Sequence, residues 1–114
     1  YGGAHYSAAK AGVLGFAKAL AREVAEYGIT VNSVCPGMIE TNIRKNSAAL
    51  GVDPINFKNA ELPTEVEQAI IASVPVGRLG YAIEVAETVA FLASEGAAYI
   101  TGEDIDINGG SHMD

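Results

Sequence analysis

Ile29-Thr30-Val31-Asn32-Ser33-Val34, a run rich in β-branched residues, stops abruptly at Pro36-Gly37, and that combination reads as a strand followed by a chain break. Upstream, between His5 and Tyr27, the apolar residues Val13, Phe16, Leu20, Val24 and Tyr27 recur at spacings of three and four, the stripe of an amphipathic helix. Gly28 stands where that helix should stop. A helix, a tight glycine turn and a strand, followed by more helix and strand, is the alternation of a parallel α/β sheet. The first helix is dense in small residues: Ala8, Ala9, Ala11, Gly12, Gly15, Ala17, Ala19 and Ala21. An interior glycine costs a helix about 1 kcal/mol relative to Ala, so Gly12 and Gly15 predict other elements close by on more than one side.

Beyond Gly37 the stretch from Glu40 to Ala60 is polar and without clear period, a long excursion with some helix. Leu62 to Val74 predicts a helix, opened by Pro63 and Thr64, with Glu65 and Glu67 in its first turns and Val66, Ile70 and Ile71 as its apolar face. Pro75 ends it. A further helix is expected from Ile83 to Ser94, with Val85, Val89 and Leu92 facing one way and Glu84 and Glu87 another. Asp104 to Ile107 reads as the last strand, followed by Asn108-Gly109-Gly110.

The chain has 114 residues, 49% apolar and 18% charged, which calls for a packed core and excludes a disordered chain. Seven Lys and Arg against fourteen Asp and Glu leave a net charge of −7, unsuited to a nucleic-acid partner. A single cysteine, Cys35, excludes an internal disulfide and a Cys-rich zinc site, and the two histidines stand far apart, so no metal site is expected. A reducing, cytoplasmic setting with no membrane association fits this composition, since no apolar run approaches the roughly 18 residues a bilayer span needs. The sequence opens at Tyr1 rather than Met, and its length is expected to be a boundary imposed from outside.

Chemistry concentrates at Tyr6 and Lys10, four residues apart on the predicted first helix. That spacing puts their Cβ atoms about 5 to 6 Å apart on one face. An ammonium about 5 Å from a phenolate stabilises it by about 3 kcal/mol at an effective dielectric of about 20. That is most of the roughly 4 kcal/mol separating a free phenol from one poised for proton transfer near neutral pH. The bland alternative is a Tyr-Lys pair on a solvent face.

The surrounding motifs decide between the two. Tyr6-Ser7-Ala8-Ala9-Lys10-Ala11-Gly12, then Val31-Asn32, then Pro36-Gly37 with Thr41 four residues on, together resemble the short-chain dehydrogenase/reductase family. Pro75-Val76-Gly77-Arg78-Leu79-Gly80, Glu84-Val85-Ala86, Phe91-Leu92-Ala93-Ser94, Tyr99-Ile100-Thr101-Gly102 and Gly109-Gly110 agree with that family too. The resemblance covers nearly the whole chain and is nearest to the 3-oxoacyl-carrier-protein reductase-like branch. It implies an α/β fold in which residues 1–114 are the carboxyl-terminal part of one doubly wound, Rossmann-type parallel sheet, with a substrate-binding segment near 40–61.

The same resemblance implies an oxidoreductase that moves a hydride between NAD or NADP and a carbonyl or secondary alcohol. Tyr6 would be the proton donor or acceptor, and Lys10 its partner and a ligand of the nicotinamide ribose. Pro36 and Gly37 would line the nicotinamide, Ile39 would offer backbone contacts to the carboxamide, and Thr41 would support the carboxamide or phosphate. Homo-oligomers, dimers or tetramers, are implied as well. The family's glycine-rich phosphate turn, its adenosine-ribose selector and its catalytic Ser and Asn precede the tyrosine, and this sequence begins five residues before Tyr6. The isolated chain is therefore expected to be inactive, and the competing reading is a non-catalytic fragment or scaffold. His5 is read as a packing or surface residue, Cys35 as an inert core thiol, and Asp104 with Asp106 as a solvated strand edge. Gly110-Ser111-His112-Met113 is read as natural sequence or a cloning scar, without a function.

Overall fold

The computed structural model describes residues 3–40 and 64–113. Thr41 and the rest of the expected substrate segment to residue 61 lie outside the described residues. The first helix, α1 (Gly3–Val24), runs on into a single 3₁₀ turn, Ala25–Tyr27. Gly28 then adopts φ 71° and donates its N–H to the Ala25 carbonyl at 3.0 Å, stopping the helix where expected.

The inward face of α1 is not the expected stripe. Ala17 and Ala21 are buried and Leu14 and Val24 half-buried, whereas Val13 and Phe16 are 60% and 67% exposed. The reason is how closely the chain behind α1 approaches it. A Cβ placed on Gly102 would lie 3.7 Å from the Ala21 Cβ, so this face has room for alanine, and the larger apolar side chains fall on the flank. Of the small residues only Ala17 and Ala21 are buried, and a Cβ on Gly12 or Gly15 would meet nothing within 4 Å, so the close neighbours expected there are not found among the described residues. Of the expected stripe, Leu20 and Val24 are half-buried and Val13, Phe16 and Tyr27 exposed.

The strand β1 spans Ser33–Pro36, later than the run that suggested it. Val31 and Asn32 still lie beside the partner segment: the Val31 carbonyl accepts the Gly102 N–H at 2.7 Å, and the other contacts run through side chains. The Val31 N–H donates to Thr101 Oγ1 at 3.0 Å, Asn32 Nδ2 to the Ile100 carbonyl at 2.9 Å, and the Glu103 N–H to Asn32 Oδ1 at 3.1 Å. An Asn amide bridging in this way takes the place of ladder bonds, which a β-branched pattern cannot reveal. From Ser33 on, β1 pairs in parallel with β4 (Asp104–Ile107), in register Ser33↔Asp104 to Pro36↔Ile107. A second, shorter parallel pair, unforeseen in the sequence, joins β2 (Ile39–Glu40) to β3 (Gly80–Tyr81).

Between these lie α2 (Thr64–Ala72) and α3 (Ala82–Leu92). Ser73 closes α2 by donating its hydroxyl to the Ile70 carbonyl at 2.6 Å, and Val74 beyond it is buried. In α3, Val85, Thr88 and Leu92 are half-buried while Val89 is exposed, so Val89 leaves the face expected of it. At the N-terminus of α3, Glu84 Oε2 accepts the Tyr81 N–H at 2.8 Å, which satisfies one amide of the helix start. The result is an α/β arrangement of helices alternating with parallel strands, as expected of part of a Rossmann-type sheet. No helix among the described residues is long and apolar enough to cross a membrane.

Glu84 is also gripped by Arg78, whose Nη2 and Nη1 lie 2.7 and 2.9 Å from its two carboxylate oxygens. The Arg78 guanidinium, helped by the Tyr81 amide, holds the Glu84 carboxyl at about 2, below the ordinary 4.5. Because the folded-state value is depressed, the pair is complete above the ordinary carboxylate range and is lost only as pH falls through about 2. A carbon-13 titration of the Glu84 carboxyl is expected to have its midpoint near 2. A midpoint in the unperturbed glutamate range would show that the pair does not form in solution.

Candidate active site

The direction of α1 determines where Tyr6 and Lys10 lie. Lys18 Nζ is 2.6 Å from Asp104 Oδ2, and one turn further along the helix Ala21 stands level with Gly102. The helix therefore descends as β4 ascends. From Lys18 back to Lys10 is about 12 Å at about 1.5 Å per residue, and from Asp104 to Ile107 about 10 Å at about 3.3 Å per residue. Lys10 is thus level with the carboxyl end of β4, and Tyr6 stands one turn beyond it. This is the edge at which open α/β sheets bind ligands.

Tyr6 and Lys10 share a face, as their spacing requires. The Lys10 ammonium lies 5.5 Å from the centre of the Tyr6 ring, within cation–π range. Tyr6 is 51% exposed and Lys10 is exposed as well, so both can reach a bound molecule. His5, beside Tyr6 in sequence, is exposed.

At the same edge the loops after β1 and β4 meet. The Gly37 N–H donates to the Ile107 carbonyl at 3.0 Å, extending the ladder by one bond. A Cβ on Gly37 would fall 2.7 Å from the Asn108 Cβ and 2.9 Å from its Cα, so no side chain fits. Asn108 is itself fixed, its Oδ1 accepting from the Gly110 N–H at 2.9 Å and its Nδ2 donating to the His112 carbonyl at 3.0 Å. Pro36, Gly37 and Met38 are exposed and present a largely apolar surface.

Ile39 follows, paired in register with Gly80, whose N–H donates to the Met38 carbonyl at 2.9 Å. In a parallel ladder the residue that bonds to its partner's neighbours uses both its own backbone groups inward, and the partner's point the other way. Gly80 is that residue, so the N–H and C=O of Ile39 face away from β3. They are left out of the β2–β3 ladder. Pro36, Gly37 and Ile39 are thus brought to the edge that Tyr6 and Lys10 overlook, while Thr41 lies outside the described residues.

Sequence reasoning misses several supporting residues. Asn108 fills the space that makes Gly37 necessary, and its signal is the Asn-Gly-Gly that follows the last strand. Arg78 and Glu84 are signalled by an acidic residue at the third position of α3. Asp104 is not a solvated edge: it is half-buried against Lys18, and its Oδ1 is buried with no hydrogen-bond partner. Asp106 is exposed. Burial, reinforced by Asp106 and Asp104, pushes the Cys35 thiol up, which disfavours the reactive thiolate. Among the described residues no group of three His, Cys, Asp or Glu is gathered as a metal site.

Comparison with known proteins bears on this geometry. The model of a family described as Enoyl-(Acyl carrier protein) reductase matches residues 1–112. The 3-oxoacyl-[acyl-carrier-protein] reductase FabG of Escherichia coli (strain K12) is 51% identical over 112 residues, 98% of this chain and 40% of that protein. The protein of the same name from Vibrio cholerae serotype O1 is also 51% identical over the same shares, and that of Pseudomonas aeruginosa is 46% identical over 98% of this chain and 39% of its own length. The chain spans about two-fifths of the length of these curated relatives.

Proposed function

The chain belongs to the short-chain dehydrogenase/reductase family, in its 3-oxoacyl-[acyl-carrier-protein] reductase-like branch, and from that premise we propose that it carries the proton-transfer part of an oxidoreductase. The reaction is transfer of a hydride between a nicotinamide cofactor, NAD or NADP, and a carbonyl or secondary alcohol. The observation that carries this reading is the pair Tyr6 and Lys10, exposed on one face of α1 at the carboxyl edge of the parallel strands. In this reading residues 1–114 are the carboxyl-terminal portion of one Rossmann-type domain, with its substrate segment near 40–61.

The residues present fit the cofactor. A flat nicotinamide needs an apolar platform and paired amide contacts, which Pro36-Gly37 and the outward backbone groups of Ile39 offer. Ribose hydroxyls need donors, and the Lys10 ammonium has three. Thr41, outside the described residues, would support the carboxamide or phosphate, as the family resemblance implies. The bound nicotinamide supplies the hydride in reduction and takes it in oxidation. Tyr6 Oη gives a proton to the carbonyl oxygen in the first direction and removes it from the alcohol in the second. The Lys10 ammonium stands on the same face, 5.5 Å from the centre of the Tyr6 ring.

The substrate class follows from the relatives' name: a 3-oxoacyl thioester on a carrier protein. The family description speaks instead of an enoyl group, and the two differ in what must be protonated. A carbonyl oxygen needs an acid beside it, which Tyr6 supports; reduction of a carbon-carbon double bond delivers the proton to carbon. The scaffold reading is disfavoured by matches to reductases over nearly the whole chain. A cytoplasmic dimer or tetramer accompanies the reading, with Val13 and Phe16 of α1 as apolar surface open to a second copy.

The full-length protein is expected to oxidise NADH or NADPH when given an acetoacetyl thioester and to leave a crotonyl thioester unreduced. Turnover of the crotonyl thioester alone would reassign the substrate. Absence of turnover with both, together with absence of cofactor binding, would overturn the reading.

A further inference from the structure

Arg78 and Glu84 stand apart from the tyrosine pair and have no part in the proton step. Their geometry is more elaborate than a surface ion pair requires. The guanidinium forks onto both carboxylate oxygens, Nη1 also donates to the Leu79 carbonyl at 3.0 Å, and Glu84 Oε2 also accepts from the Tyr81 N–H at 2.8 Å. The guanidinium carbon lies 5.0 Å from the centre of the Tyr81 ring. The two side chains thus hold the backbone on either side of Gly80, at carbonyl 79 and amide 81.

Gly80 is the residue on which β2 is laid. Its N–H bonds to the Met38 carbonyl, and its Cα lies so close to Ile39 that a Cβ there would come within 2.7 Å of Ile39 Cδ1. A two-residue ladder does not sustain itself, so the placement of Met38-Ile39-Glu40 depends on how firmly Gly80 is held. We propose that the Arg78–Glu84 pair is a positioning clasp: by pinning Leu79–Tyr81 it fixes the Ile39 backbone at the cofactor edge, and so sets affinity for the nicotinamide cofactor. This rests on the reading of the site as a nicotinamide site.

Both side chains are exposed, and exposed pairs add little to stability. A clasp and a plain surface pair therefore differ in what they predict. The test is fluorescence titration of the full-length protein and its variants with NADH and NADPH, alongside steady-state kinetics and thermal melting. Arg78→Met and Glu84→Gln are each expected to weaken cofactor binding, and raise the cofactor KM, by about tenfold or more. At saturating cofactor kcat should stay within about twofold, and the melting midpoint should move by no more than about 3 °C.

The charge-reversed double variant Arg78→Glu, Glu84→Arg separates the two readings. It restores the charge pair, but position 84 then has no acceptor for the Tyr81 amide and position 78 no donor for the Leu79 carbonyl. Affinity should remain lost, whereas a plain ion pair would be rescued. Arg78→Lys, the mildest change, keeps the charge without the fork and should also bind cofactor more weakly. Cofactor affinity within twofold of the unmodified protein in the single variants, or rescue by charge reversal, overturns the clasp and leaves the nicotinamide reading standing. An unmodified protein that binds neither NADH nor NADPH overturns both.

Discussion

Replacing Tyr6 by Phe in the full-length protein is expected to lower kcat by a factor of about 10² to 10⁴, the range removed with a positioned general acid. That corresponds to about 3 to 5 kcal/mol of transition-state stabilisation. The change removes one oxygen and nothing else. The ring stays, so the Lys10 ammonium keeps the aromatic face it lies against at 5.5 Å, and α1 keeps the alanine face on which it packs. Cofactor affinity should therefore change little, and the loss should fall on kcat. A surface role for Tyr6 predicts the opposite: a half-exposed phenol that only touches water can lose its hydroxyl at almost no cost. Stopped-flow measurement of the first turnover, read with cofactor titration, checks both quantities. Activity within tenfold of the unmodified protein would remove Tyr6 from the role of proton donor.

Tyr6 and Lys10 are legible in the sequence because their relation is local. Four residues on a helix fix a shared face without knowledge of what surrounds it. The same holds for Gly28, whose position after an apolar stripe predicts a helix stop, and for β4, whose bounds Asp104–Ile107 are those expected. What the sequence hides depends on contact between distant segments. At the inward face of α1, Ala21 lies against Gly102, where a Cβ would stand 3.7 Å from its own, while Phe16 is exposed. The start of β1 is chosen by Asn32, whose side chain reaches Ile100 and Glu103. The strands β2 and β3 are two residues each, too short for any alternation to show, and they exist because Gly80 lets Ile39 come close. For α1 and β1 periodicity identifies the element and a tertiary contact decides its facing or edge; for β2 and β3 the contact between distant segments is the whole signal.

Gly37 brings the two kinds of information together, because its neighbour Pro36 reads as a chain break while its real constraint is Asn108. Gly37→Ala would place a methyl 2.7 Å from the Asn108 Cβ and 2.9 Å from its Cα, closer than real Cβ contacts come. Asn108 cannot yield easily, since its amide is committed to Gly110 and His112. The strain must go into the joined carboxyl ends of β1 and β4, beginning with the Gly37 to Ile107 hydrogen bond. Overpacking of this kind costs about 1 to 3 kcal/mol, and here it also displaces the edge that Tyr6 and Lys10 overlook. Gly37→Ala is therefore expected to lower the unfolding free energy by that amount and to weaken NADH or NADPH binding in parallel. A second substitution locates the cause. Asn108→Gly removes the nearer obstacle, the Cβ, and leaves the backbone Cα in place, so the double variant should recover part of the lost stability and not all of it. The double-mutant cycle measured by urea unfolding should thus show a favourable coupling of about 0.5 kcal/mol or more, as for residues in direct contact. Strict additivity would place the damage elsewhere, in the local backbone of Gly37, and would mean that the two loops at this edge are not in contact in solution.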